Sequence, residues 1–136
     1  MFKKTLTYTD YNDVERTETF YFNLTKAEVL EMELGTVGGL SAMIQGVIDA
    51  KDTPALIKIF KDLVLRAYGE KSPDGKQFIK VRDGVRLADE FAQTAAYSEI
   101  FMELATNDVV AAEFVKQITP KGLEEYADRA ALKSAT

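Results

Sequence analysis

Apolar and polar positions alternate along the first 24 residues. Phe2, Leu6 and Tyr8 are interleaved with Lys3, Thr5, Thr7 and Thr9, a period of two rich in threonine and aromatics that predicts a strand. Asp10-Tyr11-Asn12-Asp13 has turn chemistry, and Arg16 to Asn23 reads as a second strand with Phe20 and Phe22 facing Leu6 and Tyr8. The two form a hairpin. Lone hairpins are marginal in water, so this one must pack on helices, on a third strand or on another subunit.

From Leu24 onward the period changes to that of a helix. Thr25-Lys26-Ala27-Glu28 has the pattern of a capping box, with Leu24 and Val29 at the positions of a hydrophobic staple, so a short helix runs from Thr25 to about Leu34 and closes at Gly35. Leu40, Met43, Ile44, Val47 and Ile48 line one face of a second helix near Leu40 to Ala50. Thr53 caps a third helix with Pro54 at its first position. It carries Leu56, Ile57, Ile59, Phe60, Leu63, Val64 and Tyr68, with Lys58, Asp62 and Arg66 as a wet stripe. Gly69 is expected to end it as a left-handed C-cap, and this helix is expected at the centre of the core.

Ser72-Pro73-Asp74-Gly75 predicts a turn, Lys76 to Val81 a third strand, and Asp83 a cap for the next helix. That helix carries Leu87 and Phe91. The later set Tyr97, Ile100, Phe101 and Leu104 is one position out of phase with it, which predicts a break between Gln93 and Ala96. Asn107 or Asp108 starts a further helix with Val110, Phe114 and Ile118, ended by Thr119-Pro120. The expected fold is α+β and predominantly helical, in one compact domain. A β-hairpin spans 1–24, five to six helices follow with their core in 25–119, and 120–136 is a helical tail.

Composition narrows the chemistry. A chain of 136 residues is one domain by default. Cys and His are both absent, which excludes Ser-His and Cys-His hydrolases, disulfide frameworks and histidine- or cysteine-ligated metal centres. There are 22 acidic against 17 basic residues, a net charge of −5 and a pI of ≈ 4.8. That balance argues against nucleic acid as a partner. No apolar run suits a signal peptide or a membrane span.

The remaining motifs favour plain structural roles. Gly35-Thr36-Val37-Gly38-Gly39 follows a helix rather than a strand and lacks the Gly-Lys-Ser/Thr ending of a phosphate loop. Asp89 with Glu90, and Glu124 with Glu125, are helix neighbours that point apart and suit solvated faces. Asp74 and Asp83 lack the spacing of a calcium loop, and Met32, Met43 and Met102 are isolated gap-fillers. No catalytic residue, no cofactor and no metal is expected. By elimination the chain is a binding or assembly protein.

The order of the pieces carries more. Residues 24–34 (LTKAEVLEMEL), the helix opening at Gly38-Gly39-Leu40, residues 58–80 (KIFKDLVLRAYGEKSPDGKQFIK), 90–104 and 111–120 resemble the tail assembly chaperones of long-tailed, siphovirus-type bacteriophages. The most specific run is Ala67 to Gly75 with Phe78 and Lys80 after it. Phe91, Ala96-Tyr97, Phe101 with Leu104, and Phe114 ahead of Pro120 extend the resemblance over about 20–120. It implies a non-enzymatic protein of the host cytoplasm, absent from the mature virion. Such a protein coats the tape measure protein, keeps it soluble and recruits tail tube protein. The resemblance also implies a longer frameshifted form of the chain as a partner.

A chaperone of a long helical chain needs apolar grooves and an acidic exterior. Phe20 and Phe22 on the hairpin and Leu40, Met43, Ile44 and Val47 on the second helix are the candidate partner-binding residues. The Leu40–Ile48 stripe also has the ordinary reading of a helix face turned to the core. Open strand edges on the hairpin predict a homo-oligomer. Two other classes compete: a virion structural component such as a tail terminator or head–tail connector, and a helix-turn-helix regulator in 83–119. For the latter, Arg82, Arg86 and Lys116 are outnumbered by Asp83, Asp89, Glu90, Glu99, Glu103, Asp108 and Glu113, which opposes phosphate contacts.

Overall fold

A computed structural model describes residues 1–34 and 53–120. It opens with β1 (Phe2–Thr9) and β2 (Glu15–Phe22), antiparallel in unbroken register from Phe2↔Phe22 to Thr9↔Glu15. Asp10 shapes the turn: its Oδ1 accepts from the N–H groups of Asn12 (2.8 Å) and Val14 (3.0 Å), and Asp13 takes φ 61°. The pairing places Phe2, Lys4, Leu6 and Tyr8 on one face with Glu18, Phe20 and Phe22. The other face carries the hydroxyl pairs Thr5–Thr19 and Thr7–Thr17, each at 2.9 Å.

Helix α1 (Lys26–Leu34) opens with the predicted reciprocal cap. The Thr25 N–H donates to Glu28 Oε1 at 3.0 Å, and the Glu28 N–H donates to Thr25 Oγ1 at 3.1 Å. Leu24 and Val29 are buried beside it. Helix α2 (Thr53–Ala67) exposes Lys58, Asp62 and Arg66 and buries Leu63, Val64 and Ala67.

The chain then passes from Ala67 straight into β3 (Tyr68–Lys71), which pairs with β2 at Tyr21↔Gly69 and Phe22↔Tyr68. This corrects two expectations, since Tyr68 is in a strand and Gly69 is not left-handed. The helix needs no left-handed cap because other groups take its last carbonyls. The Asn23 N–H donates to Ala67 O at 2.8 Å, and Lys80 Nζ donates to Arg66 O at 2.7 Å.

Ser72 to Gly75 form the predicted turn, closed by Gly75 N–H on Ser72 O at 2.9 Å, and lead to β4 (Phe78–Ile79). The stretch expected as one strand is divided. β5 (Val81–Arg82) folds back on β6 (Val85–Arg86) through Asp83 and Gly84, at φ 52° and 78°. Two positive φ values at the turn centre define the tight hairpin that Asp-Gly favours. Asp83 is thus a turn residue and not a helix cap; Arg86 holds the N-cap position of α3 (Leu87–Phe91) without a side-chain bond.

The phase slip is realised as a break at 92–94. Thr94 Oγ1 accepts from the Tyr97 N–H and caps α4 (Ala95–Thr106), and Asn107 Oδ1 accepts from Val109 and Val110 and caps α5 (Asp108–Ile118). The four-stranded sheet has the order β1-β2-β3-β4, with β5-β6 apart. The fold is α+β, a hairpin with five helices among the described residues. The expected helix near Leu40 to Ala50 and the tail from Lys121 onward lie outside those residues.

The core is centred on the hairpin rather than on α2. Fully buried Phe22 meets Phe2, Tyr68, Phe91 and Phe114, with ring centroids 5.7–6.1 Å apart and tilted to edge-on geometry. Helix α2 adds its C-terminal turns to this cluster, while Ile57 near its start remains exposed.

Candidate functional site

The sequence nominates Phe20 and Phe22 on the hairpin as partner-binding residues, and the structure places both inside their own chain. Phe20 packs on Phe91 (5.5 Å) and Tyr8 (6.3 Å) and is 7% exposed, whereas Phe22 is 0% exposed. The face carrying them is covered by α3, α4 and α5, and Lys4 Nζ reaches Glu103 on α4 at 2.8 Å. Leu40, Met43, Ile44 and Val47 lie outside the described residues.

The described surface offers other features. A cleft of ≈ 480 Å³ opens where the N-terminus, the segment Asn23–Lys26 and the end of α5 converge. The Met1 ammonium donates to Gln117 O at 2.9 Å and the Leu24 N–H to Ile118 O at 3.2 Å, so main-chain bonds build its walls. Lys26 and Lys116 line it. Val81 and Val85 are exposed on the β5–β6 hairpin, and Met102 and Val109 on α4 and α5. The Asp-Gly pair between two Val-Arg dipeptides was the available sequence signal for that hairpin.

Ion pairs knit the elements together. Lys80 Nζ lies 2.6 Å from Glu28 Oε2 and links the loop after β4 to the start of α1. Burial raises the Glu28 carboxyl, but Lys80 and the Thr25 N–H outweigh it and hold the group below the ordinary carboxylate value. Burial likewise pushes the Tyr68 hydroxyl up to about 12, its ring stacked on Phe91 at 4.0 Å.

Among the described residues no group of three His, Cys, Asp or Glu could hold a metal ion, and no helix is long and apolar enough to cross a membrane. The class the geometry defines is a helix-rich α+β module. A family model described as phage tail assembly chaperone matches residues 1–135, and the chain belongs to that family. The match takes in the hairpin and the tail, beyond the 20–120 of the sequence resemblance. No match emerges among curated proteins or among solved structures.

Proposed function

We propose that this chain coats the tape measure protein during tail assembly, keeps it soluble, helps recruit tail tube protein and acts without catalysis. The observation that carries this reading is the family match across residues 1–135. Physical chemistry supports it: a long helical chain with apolar stripes aggregates when bare, and a helix-binding groove on an acidic carrier counters that. The stripe Leu40, Met43, Ile44 and Val47 is the proposed contact. Copies of the chain associate with one another and with a longer frameshifted form, work in the host cytoplasm, and leave before the virion is complete.

Coexpression tests this. The soluble fraction of the tape measure protein should rise severalfold with the chain present, and fall back with Met43→Asp combined with Val47→Asp. An equally insoluble tape measure protein with and without the chain would sink the proposal. Mass spectrometry of purified particles should find the chain missing; stoichiometric amounts there would instead make it a structural component of the tail.

A further inference from the structure

Among the described residues nothing pairs with or covers the outer edge of β1. The Asp10 N–H donates to Val14 O at 2.9 Å, and bonded pairs alternate along an antiparallel ladder. With Phe2↔Phe22 and Tyr8↔Arg16 in the same register, the even-numbered residues of β1 bond to β2. The N–H and C=O groups of Lys3, Thr5, Thr7 and Thr9 therefore point away from β2. The same alternation turns Tyr21 toward β3, where it pairs with Gly69. β1 ends the sheet, those four residues are exposed, and among the described residues no backbone group bonds to them. No proline or bulge blunts the edge, and its lysines, Lys3 and Lys4, sit at one end of the strand and leave Thr5 to Thr9 uncharged.

We infer that β1 pairs antiparallel with β1 of a second copy about a two-fold axis at Leu6, joining two four-stranded sheets into one. The strand is complementary to itself in this register. Lys3 lies opposite Thr9, Lys4 opposite Tyr8, Thr5 opposite Thr7 and Leu6 opposite Leu6, so no like charges oppose each other. The axis also makes all four outward residues bonded pairs. On the outer face, the existing pairs Thr5–Thr19 and Thr7–Thr17 continue as hydroxyl rows across four strands. On the inner face the half-buried Leu6 gains an apolar neighbour. The other open edge, on β2, has room only for Glu15 to Thr19 before β3 begins at Tyr21. An isologous contact of this kind closes at two copies.

The inference rests on the self-association within the proposed function and not on tape measure binding, and its assays contain no tape measure protein. The mass measured by light scattering should rise from one chain to two with concentration. Thr5→Pro removes an outward N–H and leaves the β1–β2 ladder intact, so it should stay monomeric with an unchanged circular dichroism spectrum. Should that variant melt early, Thr5→Lys with Thr7→Lys sets lysine against lysine and should also be monomeric. Thr5→Lys with Thr7→Glu should restore the dimer. The chain has no cysteine, and the non-bonded pair at Leu6 has Cα atoms about 4.5 Å apart, within disulfide reach. Leu6→Cys should thus cross-link under mild oxidation at least about tenfold faster than Thr9→Cys. A wild type monomeric at every concentration, full-size oligomers from folded Thr5→Pro, or equal cross-linking at the two positions would overturn the inference.

Discussion

A methyl group on Gly69 would lie 2.6 Å from Phe78 Cε2 and 2.7 Å from Ile79 O. β4 and its aromatic ring close over that backbone, so Gly69→Ala should cost about 1–3 kcal/mol through overpacking. Gly75 is the contrast. Its φ is +75° in open space, so Gly75→Ala should cost about 1 kcal/mol from left-handed strain alone. Urea midpoints of the two variants separate the causes: Gly69→Asn should be at least as damaging as Gly69→Ala, whereas a true left-handed cap would tolerate asparagine. The sequence shows a glycine at a helix end, and a cap and a close approach both ask for a missing Cβ. Only the position of Phe78 distinguishes them. Glu28 offers a second residue-scale test. Its folded carboxyl is held below the ordinary value, so its stabilisation is present at neutral pH and lost as pH falls through the folded value. Glu28→Gln preserves the capping box and removes the charge. Because the side chain is 35% exposed, screening limits the effect to at most about 1 kcal/mol. The melting temperatures of wild type and Glu28→Gln should differ at pH 7 and converge in acid.

Elements whose signals are local were legible. The Thr25–Glu28 box and the start at Asn107 follow from side chains that bond to N–H groups within three residues, and the break after Phe91 follows from the phase slip between Phe91 and Tyr97; the Thr94 cap was missed. Asn107 serves two such groups, so Asn107→Ala should destabilise the chain by about 1 kcal/mol, read as a lower urea midpoint. An unchanged midpoint would show that water replaces the cap at no cost. Elements made by distant partners were not legible. Tyr68 continues the apolar spacing of α2, yet the helix stops before it because Phe22, Asn23 and Lys80 arrive from elsewhere in the chain. β5 and β6 have two residues each, too few to show a period, and their signal lay in the Asp83-Gly84 turn; β4, equally short, falls inside the strand expected over Lys76 to Val81. The hairpin was legible as an element, though not its place in the core. Deleting residues 1–22 removes Phe2, Phe20 and Phe22 together, and the remainder should show no cooperative melt. A truncated chain that melts sharply would mean the helices hold a core of their own.

Across the whole molecule, an apolar side chain reads the same in sequence whether its own helices or another chain will cover it. Phe20 and Phe22 therefore read as contact residues, and only the rings of Phe91 and Phe114 placed against them show that their own chain buries them. That arrangement carries a further consequence. The ring of Phe22 touches residues from β1, β3, α3 and α5, and Lys4 ties β1 to α4. Among the described residues, no division between hairpin and helices leaves either side with a complete core. Unfolding should accordingly be one transition, with near-ultraviolet and far-ultraviolet circular dichroism coinciding. Phe22→Ala opens a cavity at this junction and should cost about 3–5 kcal/mol, a large share of the roughly 5–15 kcal/mol that stabilises a typical domain. The loss should appear equally in the hydrogen-exchange protection of β1 amides and of α5 amides, because both reach solvent through the same global opening. Exchange of β1 amides at unchanged α5 protection would mean that the hairpin opens alone, and that Phe91 and Phe114 keep the helices folded without it.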